Sequence, residues 1–163
     1  MATQQLVLLR HAKSDWHSGA DSDFERPLNK RGRRAAVAMG EWFDKNAIEP
    51  DLILCSSSER TTETLSLVSS VCRWQGREIR FMKSLYHASE DDLADIIDNA
   101  LEGSQSLMIV GHNPGLEMLL LRYFPNAPIF SNGKLMPTAT VAVIKLLNGV
   151  AMELLHLERP LKR

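Results

Sequence analysis

Three short runs, LVLL at 6–9, LILC at 52–55 and LMIV at 107–110, are apolar at every position and end abruptly in polar residues. A strand with no polar face must be covered on both sides, so these runs belong to a sheet sandwiched between helices. The stretches between them carry helical periodicity. Behind Asn29 as N-cap, Ala35, Met39, Trp42 and Phe43 share one face. Ser56 and Glu59 have capping-box spacing ahead of Leu65, Val68 and Cys72. Ser89 with Asp92 repeats that spacing ahead of Leu93, Ile96, Ile97, Ala100 and Leu101. Asn113 and Pro114 suit the N-cap and first position of a fourth helix, which Pro125 must end. Thr140–Leu147 and Val150–Leu157, joined by Asn148-Gly149, read as a terminal hairpin.

Alternating strands and helices imply crossover connections and a parallel sheet. The expected architecture is α/β: one domain over residues 1–163, a three-layer α/β/α sandwich whose mainly parallel sheet gains an antiparallel C-terminal edge from the hairpin. The 163 residues suffice for one core, and no internal repeat or low-complexity linker divides them. A formal net charge of -1 supplies no overall field for nucleic acid or an anionic membrane, so an anionic ligand must be held by local charge. The start MATQQLVLLR lacks the features of a secretory signal, and no apolar run approaches the ~20 residues of a membrane span; a cytoplasmic location is expected. Cys55 and Cys72 fall in a strand and a helix and read as free buried thiols. The final ERPLKR reads as a basic, partly ordered tail.

In an open sheet of this type, ligands bind beyond the carboxyl ends of the strands. Arg10 and His11 follow the first run, Ser56 to Arg60 the second, and Gly111, His112 and Asn113 the third. One rim therefore receives two arginines, two histidines and two helix N-termini, donors suited to a tetrahedral oxyanion. An imidazole aimed at phosphorus adds a nucleophile that needs no separate base. Each residue alone has a structural explanation, as a solvated strand end, a surface helix cation or a turn; their arrival at three strand ends of one sheet is what points to a phosphoryl site. The long connection Ala12–Leu28 is either a surface loop or a substrate-binding loop, with Lys13 and Arg26 as its candidate anion contacts. A metal site is disfavoured because the arginines would repel a divalent cation and no carboxylate stands at ligand spacing.

Arg10-His11, Ser57 with Arg60 in SSSERTTETL, and Gly111-His112 in IVGHNP resemble the histidine phosphatase superfamily. The forms RHAKSDW, DFERPL with Gly32, and MPTATV are similar to its small phosphohistidine phosphatase, or SixA-like, group. The resemblance implies a phosphoglycerate mutase-like fold with no metal or cofactor. It implies that His11 is the nucleophile that becomes phosphorylated, while Arg10, Arg60 and His112 surround the phosphoryl oxygens as the other catalytic residues. Ser57, Lys13, Arg26 and His87 are the further substrate-binding candidates.

The chain departs from the superfamily at one place. Many members carry a glutamate general acid in a Leu-x-Glu arrangement, whereas Leu85-Tyr86-His87 stands here. His87, Glu90 or no residue could donate the proton, and Glu90 already has a structural explanation in the Ser89 capping box. An alkoxide leaving group needs a positioned acid, while the imidazole released from phosphohistidine is far less basic. The expected substrate is accordingly a phosphorylated protein carrying phosphohistidine, or a small phosphorylated compound. The alternatives are a broad-specificity phosphomonoesterase and a phosphate-recognition module without turnover.

Overall fold

The computed structural model describes residues 3–130 and 132–160. In chain order the elements are β1 (Thr3–Arg10), α1 (Lys30–Lys45), β2 (Leu52–Ser56), α2 (Glu59–Ser69), β3 (Glu78–Met82), a 3₁₀ turn (Lys83–Leu85), α3 (Glu90–Leu101), β4 (Ser106–Gly111), α4 (Gly115–Tyr123), β5 (Val141–Leu147) and β6 (Val150–Glu158). They form one six-stranded sheet of order β3-β2-β4-β1-β5-β6. The first four strands in that order run parallel; β5 pairs antiparallel with β1, and β6 with β5. The expected antiparallel C-terminal edge is therefore present, turned through Asn148 and Gly149 at φ 51° and 77°, the left-handed pair that a tight hairpin requires.

The order of the strands explains why helices cover both faces. From β1 the chain steps outward to β2 and β3, then returns through β4 to β5. Because strand-helix-strand crossovers are right-handed, reversing the direction of travel moves the helices to the opposite face. Accordingly α1 and α2 pack through Met39, Phe43, Leu65 and Val68 on Val7, Leu9, Ile53 and Cys55. Leu93, Ile97, Leu116 and Leu119 of α3 and α4 pack on Leu6, Leu8, Leu54 and Ile109 from the other side. Adjacent residues of β1 thus feed different cores, as a doubly covered strand must.

Helix starts agree with the sequence in two cases and differ in two. The Asn29 side chain accepts from the Gly32 amide at 2.7 Å, and Ser89 forms its capping box with Asp92. Ser56, however, is the last residue of β2 rather than a cap; α2 is preceded by Ser58, whose hydroxyl lies 2.5 Å from Thr61 Oγ1 instead of capping the helix. Likewise α4 begins at Gly115 with Pro114 as its flanking residue, one position later than expected. A Cβ at Gly115 would collide with the carbonyl oxygen of Ala88, so close approach to the 87–88 turn demands glycine here. Sequence reading also missed β3, whose EIRFM run is mostly exposed at the sheet edge and lacks the apolar run of a covered strand. Cys55 and Cys72 are free and buried. Of the ERPLKR tail, residues 161–163 lie outside the described residues.

Candidate active site

Strand register assembles the site. Arg10 pairs with Gly111 across β1 and β4, and Cys55 pairs with Val110 across β2 and β4, so the residues that follow all three strands emerge level with one another. The backbone at His11 is held on two sides: its amide donates to the Gly111 carbonyl at 3.2 Å and its carbonyl accepts from Ala139 at 3.0 Å. The two imidazoles face each other with ring centroids 5.2 Å apart.

His11 is only 6% exposed, and its Nδ1 lies 2.7 Å from the Ala12 carbonyl oxygen. A carbonyl can only accept, so Nδ1 carries the proton and Nε2 keeps its lone pair. Burial lowers the His11 pKa to about 3, which the Ala12 contact opposes only in part, and the ring is neutral at physiological pH. His112 is also lowered to about 3, by burial first and then by the charge of Arg60. Its Nε2 lies 2.8 Å from Ser56 Oγ and 3.5 Å from Ser58 Oγ.

The arginines are positioned by oxygens of the loops. Arg10 Nη1 donates to the Met136 carbonyl at 3.1 Å. Arg60, in the first turn of α2 and 3% exposed, donates from Nη1 to the Asp23 carbonyl at 2.7 Å and from Nη2 to Asp23 Oδ2 at 3.0 Å. Those two bonds occupy two of the five guanidinium N–H groups and fix the plane of the fork. Among the described residues neither arginine Nε nor His112 Nδ1 has a partner, so the guanidinium groups keep donor capacity that the site's own acceptors do not use.

Asp23 is the hub that sequence reading left as one more acid of the long connection. Its carboxylate accepts from Arg60, from Arg26 at 2.8 Å and from Tyr86 at 2.5 Å, and His87 Nε2 lies 3.4 Å away. Burial alone would raise its pKa, but the bonds from Tyr86 and Arg26 and the charge of Arg60 outweigh that and hold it well below the usual carboxylate range. The signal was present in the DFERPL stretch, yet nothing local to it shows that Arg60 and Tyr86 lie opposite.

Arg10, His11, Lys13, Arg26, Arg60, His87 and His112 all line one groove. Ser57 is not among its lining residues and directs its amide to the Met82 carbonyl; the hydroxyls that reach His112 belong to Ser56 and Ser58. Arg26 is buried, tied to Asp23 and Ser14 and stacked 3.6 Å above the Trp16 ring, so it braces the loop. Lys13 is exposed at the groove edge while its carbonyl receives the Asn29 amide. His87, at φ 55°, presents a half-exposed ring beside His112, with centroids 5.6 Å apart. Glu90 opens α3, outside the groove lining, with Arg122 3.9 Å away. Among the described residues no cluster of three or more His, Cys, Asp or Glu side chains could hold a metal ion, and no helix is long and apolar enough to cross a membrane.

Comparison with known proteins bears on this arrangement. The family profile described as Histidine phosphatase superfamily (branch 1) matches residues 6–86. An uncharacterized protein of Mycobacterium tuberculosis is 31% identical over 113 residues, 69% of this chain and 68% of that protein. An uncharacterized chloroplastic protein of Arabidopsis thaliana is 32% identical over 71% of this chain, which spans 56% of that relative's length. Among solved structures, a provisionally assigned phosphohistidine phosphatase SixA of Agrobacterium tumefaciens superposes with a TM-score of 0.80 at 26% identity, covering 96% of this chain and 98% of that one. A phosphoglycerate mutase of Bacillus anthracis superposes with a TM-score of 0.73 at 15% identity over 93% and 91% of the two chains, a likeness of fold alone.

Proposed function

The chain belongs to the histidine phosphatase superfamily, and from that premise we propose that it is a metal-independent phosphatase acting through phospho-His11, with protein-borne phosphohistidine as its preferred substrate. The observation that carries this reading is the Nδ1 contact of His11 with the Ala12 carbonyl, which leaves Nε2 unprotonated on a neutral, buried ring beside two arginines. The SixA relationship of the neighbour from Agrobacterium supports the choice of substrate.

In the first step His11 Nε2 forms a bond to phosphorus as the bond to the substrate's nitrogen breaks, and the released imidazole takes up a proton. Arg10, Arg60 and His112 stabilise the charge on the three phosphoryl oxygens through preorganised donors. In the second step water attacks phosphorus, the bond to Nε2 breaks, and phosphate leaves with His11 restored. His87 stands in the sequence where the Leu-x-Glu arrangement carries its glutamate, and its exposure suits it to deliver a proton from solvent. Phosphohistidine demands little of such a donor because its leaving group is a weak base, whereas an alkoxide demands much.

Phosphate release from a phosphohistidine peptide and from a panel of phosphomonoesters tests the reading. His11→Ala abolishes turnover of every substrate without unfolding the protein; turnover surviving in that variant overturns the mechanism. Phosphomonoesters turned over as fast as the peptide would replace the preferred substrate with a broad phosphomonoesterase activity. Failure to label His11 in a single turnover would make the protein a phosphate-recognition module. Activity unchanged by a chelator is expected.

A further inference from the structure

The groove extends beyond the phosphoryl site, and its charge is out of proportion to the chain. Among the described residues nine lysines and arginines line it against two acids, Asp23 and Glu41, a formal +7 on a protein whose net charge is -1. Arg10, Arg26 and Arg60 are accounted for by the site. The remaining six, Lys13, Arg31, Arg33, Arg34, Lys134 and Arg159, form an outer rim.

The placement of Arg31 is costly to the fold. The sequence KRGRR opens α1, and no acid stands in the first turn. A helix N-terminus carries the positive end of the macrodipole and favours acids, so Lys30, Arg31 and Arg33 are on the wrong end for helix stability. Arg33 is compensated by Glu63 at 3.2 Å. Arg31 and Arg34 are exposed and have no ion pair among the described residues. Arg31 opposes the dipole, neither it nor Arg34 has a carboxylate partner among the described residues, and both line a groove leading to the proposed nucleophile, a placement that suits a ligand.

Resting on the phosphatase reading above, we infer that this outer rim docks an acidic protein surface flanking the phosphorylated histidine, with Arg31 and Arg34 as its main specificity-determining residues. Trp16, 74% exposed at the groove edge with its ring stacked on Arg26, adds a rigid aromatic anchor of the type that protein interfaces favour. Complementary charge of this kind accelerates encounter and sets partner choice, and it is screened by salt. A small phosphorylated compound would occupy the inner cradle and leave the rim unused.

Three probes test this: phosphoramidate, a phosphohistidine peptide with flanking Asp and Glu, and the same peptide with Asn and Gln in their place. The expected result is kcat/KM about tenfold higher for the acidic peptide at low ionic strength, a preference that shrinks as salt rises. The double variant R31E/R34E removes that preference through KM and leaves phosphoramidate hydrolysis unchanged. Because Arg31→Glu places an acid where the helix dipole favours it and Arg34 is exposed, thermal stability should hold or rise, which separates loss of docking from loss of fold. Equal turnover of the two peptides by the wild-type enzyme, or an unchanged preference in the variant, overturns the inference while phosphoramidate hydrolysis still supports the phosphatase reading. Inhibition by a single-stranded oligonucleotide that R31E/R34E relieves, with no preference between peptides, would assign the rim to nucleic acid instead.

Discussion

Arg60 and Asp23, 37 positions apart, are joined twice: Nη1 to the Asp23 carbonyl at 2.7 Å and Nη2 to its Oδ2 at 3.0 Å. The first bond locks the loop to the helix and the second gives a buried cation its counterion. Three guanidinium N–H groups are left over from these two bonds, and the proposed mechanism directs them at a phosphoryl oxygen. Asp23→Asn keeps the carbonyl bond but removes the charge-assisted one. We expect kcat/KM to fall about tenfold, equivalent to the ~1.5 kcal/mol of one such bond, with stability reduced by about 1 kcal/mol because Asp23 is partly solvated. Steady-state kinetics and urea denaturation report the two effects; unchanged kinetics would mean that Asp23 does not position Arg60.

Ser56 is fully buried, with its hydroxyl 2.8 Å from His112 Nε2. Ser56→Ala leaves that ring free to turn away from the phosphoryl site. A loss of about tenfold in kcat is expected, since an unsatisfied buried polar group costs roughly 1–3 kcal/mol. KM should change little, because the binding contacts of the groove survive.

The lowered pKa values of His11 and His112 predict two pH dependences. For activity, the acid limb of kcat/KM should not reflect a nucleophile near 6.5, because His11 stays neutral down to about 3. For stability, the unfolded chain protonates both rings as pH falls through ~6.5 while the folded chain does not until about 3. Between those values the unfolded state holds more protons, so stability declines with falling pH by up to about 1.4 kcal/mol per unit for each histidine. Urea denaturation at pH 7 and pH 4.5 should show the decline, and His112→Asn should flatten it.

Gly115→Ala drives a Cβ into the Ala88 carbonyl oxygen, and backbone cannot yield as a flexible side chain does. A loss of about 1–3 kcal/mol in unfolding free energy is expected. The strain falls next to His87, so hydrolysis of phosphomonoesters, which depends most on a proton donor, should suffer more than hydrolysis of phosphohistidine.

Much of this protein was legible from local pattern. Apolar runs identify covered strands because burial on two faces leaves no polar position. Asn29 and Ser89 mark helix starts because each side chain satisfies an amide three residues on. Asn148-Gly149 closes a hairpin because both residues accept positive φ. Failures occurred where local pattern carries two meanings. Ser56 has the spacing of a cap but lies at 0% exposure as the end of a strand, where its hydroxyl serves His112. The EIRFM strand is polar because it stands at an edge, and an edge is a property of the whole sheet.

The sequence by itself determined which chemistry was available: Arg10, His11, Arg60 and His112 stand at strand ends, and side-chain period and crossover handedness bring strand ends to one rim. Only the tertiary structure decided how that chemistry is held. Asp23 acquires its role from Arg60, Arg26, Tyr86 and His87, up to 64 positions away, and Arg31 and Arg34 become a rim only when α1 borders the groove. Such pairings depend on three-dimensional proximity, which no periodicity along the chain encodes.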